Sequence, residues 1–164
     1  MVSKRIITGL VWVVGLMAGN LLHAQQDVLL PFMKTDHFEY GENVKEGDAR
    51  FVVINKDMAL YQPVKVPFKY LGLTITESLV SIENNFISRI VLFISEDESG
   101  KTALSALQVK LDKLTVTKGE DGVDRFWRSS KYEIVLQEGT GSDIIYLQPI
   151  SGSSQEDGNP DKAD

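Results

Sequence analysis

Between Arg50 and Gln148 a single stretch repeats its apolar residues at helical spacing, and that scarcity constrains the fold more than any other feature of the chain. From Lys101 to about Thr117, Leu104, Leu107, Leu111 and Leu114 recur at intervals of three and four, which sets them on one stripe of a helix. Lys101, Gln108, Lys110 and Lys113 fall mostly away from that stripe. The remainder of the region carries β patterning. Phe51 to Ile54 is a β-branched run, Asn55-Lys56-Asp57 supplies turn residues, and Met58 to Tyr61 resumes the apolar character. Val64, Val66, Phe68 and Tyr70 alternate with polar or proline positions, and Pro63 and Pro67 cannot donate ladder hydrogen bonds, which marks an edge strand.

Leu79 to Glu83 and Phe86 to Ile94 flank Asn84-Asn85, and asparagine tolerates the positive φ of a tight hairpin turn. Ile90 to Ile94 is apolar at every position, as in a strand at the centre of a sheet. Thr74 to Glu77 has the form of a capping box, which leaves room for one turn of helix there. Gly119 and Gly122 are expected to end the leucine helix, and three β segments follow at Val123 to Trp127, Tyr132 to Gln137 and Asp143 to Gln148. Arg128 to Lys131 and the glycine-rich Glu138 to Ser142 serve as turns between them. One helix beside many strands covers a sheet, so the expected fold is α+β: a mostly antiparallel sheet of five to seven strands with one main helix packed on one face.

Met1 to about Ala24 has the layout of a cleavable export signal. Lys4 and Arg5 form a positive start, Ile6 to Gly19 is apolar, and Ala24 offers a small residue at the cut before the polar Gln25-Gln26-Asp27. An uncleaved anchor helix is the competing reading, since the apolar run is only slightly short of a bilayer span. The expected organisation is therefore a signal peptide at 1–24, an irregular lead-in at 25–49 with one short strand near His37 to Tyr40, a single α+β domain at 50–150, and a disordered acidic tail at 151–164.

Composition narrows the function classes. The chain has no cysteine, which removes thiol catalysis, disulfides and lipid attachment at a cysteine, and its formal net charge is -6. Removing residues 1–24 takes away Lys4 and Arg5 and no acid, so the mature domain is more acidic still. Nucleic acid and an anionic membrane surface repel such a domain at long range, and neither is expected as a partner.

Local motifs give little catalytic chemistry. Ser95 to Thr102 ends in Gly-Lys-Thr between a strand and a helix, but Glu96, Asp97 and Glu98 occupy the loop that would have to surround phosphate oxygens. That run reads instead as an acidic turn whose Ser99 caps the helix. The carboxylates there, and Glu120, Asp121 and Asp124, lack the spacing of a helix-loop-helix calcium site, and no metal or other cofactor is expected. His37 stands alone in the mature chain, with no Gly-x-Ser-x-Gly elbow to serve.

Arg125, Phe126, Trp127, Arg128, Lys131 and Tyr132 form the one basic and aromatic cluster of an acidic molecule. Strand alternation separates Phe126 from Trp127, so one ring enters the core and the other meets the opposite face, unless both pack inside. Arg125, Trp127, Arg128 and Lys131 are the candidate binding residues, suited to an anionic peptide, a glycan or an acidic loop. The sequence points to an exported, non-catalytic binding or accessory module of a bacterial envelope, periplasmic or secreted, with a protein or glycan as partner. A small envelope-polymer hydrolase using paired carboxylates, or a structural component of an envelope assembly, are the alternatives.

Overall fold

The computed structural model describes residues 26–150. The expected signal at 1–24 and the expected tail at 151–164 lie outside them. Nine strands and one helix follow the lead-in: β1 (Phe51–Asn55), β2 (Leu60–Pro63), β3 (Phe68–Tyr70), β4 (Leu73–Glu83), β5 (Phe86–Ile94), α1 (Lys101–Leu111), β6 (Thr117–Asp121), β7 (Asp124–Arg128), β8 (Tyr132–Gln137) and β9 (Ile144–Pro149). All pairings are antiparallel, in the order β1-β2-β4-β5-β9-β8-β7-β6, with β3 attached to β4 beside that path.

The β4–β5 hairpin is the spine of the sheet. Asn84 and Asn85 take φ of 52° and 66°, the left-handed pair that lets a two-residue turn follow the twist of its strands. Ile90, Leu92 and Ile94 then point to the core face and are fully buried, while the neighbouring β9 adds Ile145 and Leu147 and β8 adds Ile134 and Leu136 to the same layer. The lead-in closes over that layer. Leu29, Met33, Phe38 and Val44 are buried in one cluster with the sheet and with Ala103, Leu107 and Leu111 of α1. Tyr40 stacks edge-on against Tyr132 with ring centres 5.2 Å apart, and the Tyr70 hydroxyl donates to the Phe32 carbonyl at 2.9 Å. Complete burial pushes the Tyr70 phenol up.

Several expectations are corrected by the fold. The sheet has nine strands, not five to seven, and the helix is a minor element of 11 residues instead of a main one reaching Thr117. It stops because the chain turns after Leu111 toward a strand: Leu114 and Val116 still pack on the core, but from non-helical backbone, and the β-branched Thr115, Val116 and Thr117 lead into β6. Gly119 ends no helix and sits inside β6, where a side chain would collide with Phe126 directly opposite, its Cβ only 2.4 Å from that ring. The aromatic ring thus takes the space above a strand glycine.

Thr74 to Glu77 is strand, not a helical turn, because β4 runs 11 residues and pairs with β3 and β5 there. His37 to Tyr40 forms no strand; a lone bridge joins Lys34 to Glu39, and the lead-in works as core cover. Ser99 does not cap α1. Gly100, at φ 69°, holds that position, and its N–H donates to Oδ2 of Asp143 at 2.5 Å.

One carboxylate pins the start of the lead-in. Asp27 accepts from the Leu29 N–H, from the Ser129 and Ser130 hydroxyls and from the Lys131 N–H, at 2.9 to 3.2 Å. Partial burial raises its pKa, but these four hydrogen bonds outweigh that effect and hold it below the usual Asp value. A depressed folded-state pKa gives stability that is complete above the unfolded pKa and lost as pH falls through the folded one. Asp27→Ala should therefore cost about 1 kcal/mol near neutral pH, modest because the carboxylate is largely solvated, and the gap from the wild type should narrow as pH drops below about 4. Urea unfolding at pH 7 and pH 3 measures both.

Candidate functional site

Side chains alternate along a strand, so every strand that feeds the core also presents a second set of residues to the other face. On that face Leu79, Val91, Tyr146, Val135 and Phe126 form one row across β4, β5, β9, β8 and β7, each directly opposite the next. All are half-buried, and none belongs to the core cluster. A polar row, Gln148, Glu133 and Arg128, runs beside it on β9, β8 and β7, and a mixed row of Glu77, Phe93, Ile144, Gln137, Asp124 and Asp121 flanks the other side. The β6 to β9 members of these rows, apart from Ile144, line with Arg89 a shallow cavity of about 320 Å³ formed by strand residues alone.

The polar members of this face are held in fixed positions. Glu133 is buried, and its Oε2 accepts from Nε and Nη2 of Arg128 at 2.9 and 2.7 Å while Oε1 accepts from the Gln148 amide at 2.8 Å. Charge-assisted bonds of this kind are stronger than neutral ones, and they fix both carboxylate oxygens. The Arg128 guanidinium also lies 4.5 Å from the centre of the Phe126 ring, a cation–π arrangement. The Tyr146 hydroxyl donates to Oε1 of Gln137 at 2.9 Å. One charged group remains available to a ligand, the exposed Arg89, which forms no ion pair among the described residues; Oδ1 of Asp124 also makes no hydrogen bond there, but that atom is buried.

The four candidate binding residues are not gathered into one site. Trp127 is 3% exposed and donates from Nε1 to Oδ1 of Asp112, just past the end of α1, at 2.8 Å, so it is the ring that enters the core. Arg125 shares its side of β7 and pairs with Glu120 on β6. Arg128 faces the opposite way, beside Phe126. Lys131 is exposed in the β7–β8 turn, where its backbone N–H is engaged by Asp27. Only Arg128 of the four lines the open-face cavity. Phe126 there, together with Tyr146, Glu133, Gln137, Gln148 and Arg89, is brought together from four strands. A common alternation in Tyr132 to Gln137 and Ile144 to Gln148, with Glu133, Gln137, Tyr146 and Gln148 opposite the buried positions, was the available signal.

The loop that ends in Gly-Lys-Thr serves the fold. Asp143, 2% exposed, places its own carboxylate at the start of α1, accepting from the Gly100 and Gly139 N–H groups, and thereby occupies the place an anion would take. In the same loop Glu98 accepts from the Thr74 N–H, which holds its carboxyl below the usual range with help from Lys69. His37 packs edge-on against Phe68 at 5.4 Å. Among the described residues no three His, Asp or Glu side chains are grouped as metal ligands, and no helix is long and apolar enough to cross a membrane.

No family model matches the chain, and neither a curated protein nor a solved structure does so. The site must be read from its own chemistry.

The Arg128–Glu133 pair is asymmetric: the guanidinium is 42% exposed while the carboxylate is 9% exposed, so losing the arginine strands the buried partner. Arg128→Leu should cost about 1–3 kcal/mol, and the double variant Arg128→Leu/Glu133→Leu should recover part of that loss. A double-mutant cycle by urea unfolding measures the coupling, and additive losses would show the pair to be uncoupled.

Proposed function

We propose that the chain is exported, sheds residues 1–24, and acts as a non-catalytic binding module of the bacterial envelope, holding a protein or glycan against the open face of its sheet. The observation that carries this reading is the row Val91, Tyr146, Val135 and Phe126, an apolar stripe across four strands bordered by polar groups already fixed in place. A surface whose side chains are ordered before binding loses little entropy when it is occupied. The Tyr146 and Phe126 rings, the amides of Gln137 and Gln148 and the free Arg89 cation supply both apolar contact and directional hydrogen bonds.

This assignment moves the binding face away from Trp127, whose removal would damage the core. Export is supported by the layout of residues 1–24. The test uses the purified protein and its Tyr146→Ser/Arg89→Ala variant as baits for an envelope extract. The processed protein should begin at Gln25, and the variant, with an unfolding midpoint near that of the wild type, should retain less than about one tenth of the captured partner. Equal capture by a folded variant overturns the assignment of this face.

A further inference from the structure

Glu77 and Arg89 are both exposed, and neither forms an ion pair among the described residues. They stand on neighbouring strands of the open face, on opposite sides of the apolar row Leu79, Val91, Tyr146, Val135 and Phe126. Arg89 is opposite Ser81 and Glu77 is opposite Phe93, so four residues along β5, about 13 Å, lie between the two charges. Each lacks a counter-ion that the other could supply only from a second molecule.

The two flanks of the row differ in sign along their length. On the Arg89 side the charged groups are Arg89, Arg128 and Glu133, and Arg128 neutralises Glu133, which leaves one cation in excess. On the Glu77 side they are Glu77, Asp121 and Asp124, with no cation and no ion pair among the described residues. An apolar strip with one border of each sign is complementary to itself. A half-turn about an axis along the strip sets apolar row on apolar row and each border over the opposite border, which is the condition for a closed two-fold interface.

We propose that the occupant of the open face is a second copy of this chain, packed face to face about a two-fold axis along the Leu79–Phe126 row. Arg89 of each copy then lies over Phe93 and beside Glu77 of the other, because Glu77 and Phe93 are paired across β4 and β5. Arg128 of each lies over Asp124 of the other, both being on β7. This proposal rests on the open-face reading and names its partner. The dimer is weak. Five strands about 4.8 Å apart give a patch at the low end of specific interfaces, and four acids against two cations on each face oppose long-range approach, so the favourable pairing is local. At low concentration the face is therefore open.

Sedimentation equilibrium of the purified protein from about 1 µM to about 1 mM measures the association. The wild type should reach a dimer and no larger species, since a two-fold contact closes on itself. Arg89→Glu and Glu77→Arg should each weaken the dimer at least tenfold, because the contact occurs twice and reversal turns two attractions into two repulsions. An equimolar mixture of these two variants should associate at least as tightly as the wild type, every such contact being again between opposite charges. Both positions are exposed, so the unfolding midpoints should stay near that of the wild type. On concentrating the isotopically labelled protein, amide shifts should fall at residues 77–81, 89–93, 124–128, 133–137 and 144–148. A protein that is still monomeric at about 1 mM overturns the proposal. If that monomer captures an envelope partner that the Tyr146→Ser/Arg89→Ala variant loses, the open-face reading stands without the second copy. Association that neither charge reversal weakens, or shifts centred on the exposed Val52, Val53 and Ile54 of β1, also overturns it.

Discussion

The structure depends on β5 being apolar at every position of its central run. Ile90, Leu92 and Ile94 are fully buried on one face and Val91 and Phe93 half-buried on the other, so the strand can sit only in the middle of the sheet. Burying an Ile or Leu completely is worth about 1.5–3 kcal/mol, and the three core-facing side chains of this strand fix which face must be covered. Because the pleat has a period of two, that choice also decides what every neighbouring strand shows to solvent. Tyr146 on β9, Val135 on β8 and Phe126 on β7 are aligned by register with Val91, not by any contact of their own with the core.

Cover on the core side comes from two unlike pieces. The helix gives Ala103, Leu107 and Leu111, and the lead-in gives Leu29, Met33, Phe38 and Val44 from backbone with almost no regular structure. Such a segment stays in place through anchors at separate points. Asp27 ties it to the β7–β8 turn, Arg50 ties Glu42 and Asp48 together, and the Val44 N–H donates to the Asn85 carbonyl at 2.7 Å. Polar side chains that looked available for chemistry are spent in this way. Asp143, Glu98 and Asp112 each satisfy a backbone or indole N–H, which accounts for much of the acidic character around α1 in terms of folding rather than ligand binding.

The hairpin at Asn84-Asn85, the central position of the Ile90 to Ile94 run and the Leu107–Leu111 stripe were all legible in the sequence, because each rests on a local rule of period or φ, whereas the turn expected at 55–57 extends through Met58 and Ala59 and β2 starts only at Leu60. Strand number was not, since β6 carries Gly119 and four charged or polar residues, with Phe126 filling the space over the glycine across the ladder. The lead-in gave no periodic signal, as its core residues are spaced to suit the surface they cover. The choice between Phe126 and Trp127 was visible only as an alternation without a sign. What assigns it is Asp112, 15 residues earlier in the chain, receiving the indole N–H. The open-face site draws on residues from Arg89 to Gln148, a span over which pairing register alone sets proximity.

The sheet has one sealed and one accessible face, with the two aromatic residues of β7 on opposite sides. Hydroxyl-radical footprinting of the purified protein with mass-spectrometric readout tests it directly, because indole is intrinsically among the most reactive side chains. Trp127 should be strongly protected, while Phe126 and Tyr146 should be modified faster than the fully buried Leu107 and Ile134. Rapid oxidation of Trp127 in the folded protein, with Phe126 and Tyr146 protected, would contradict it.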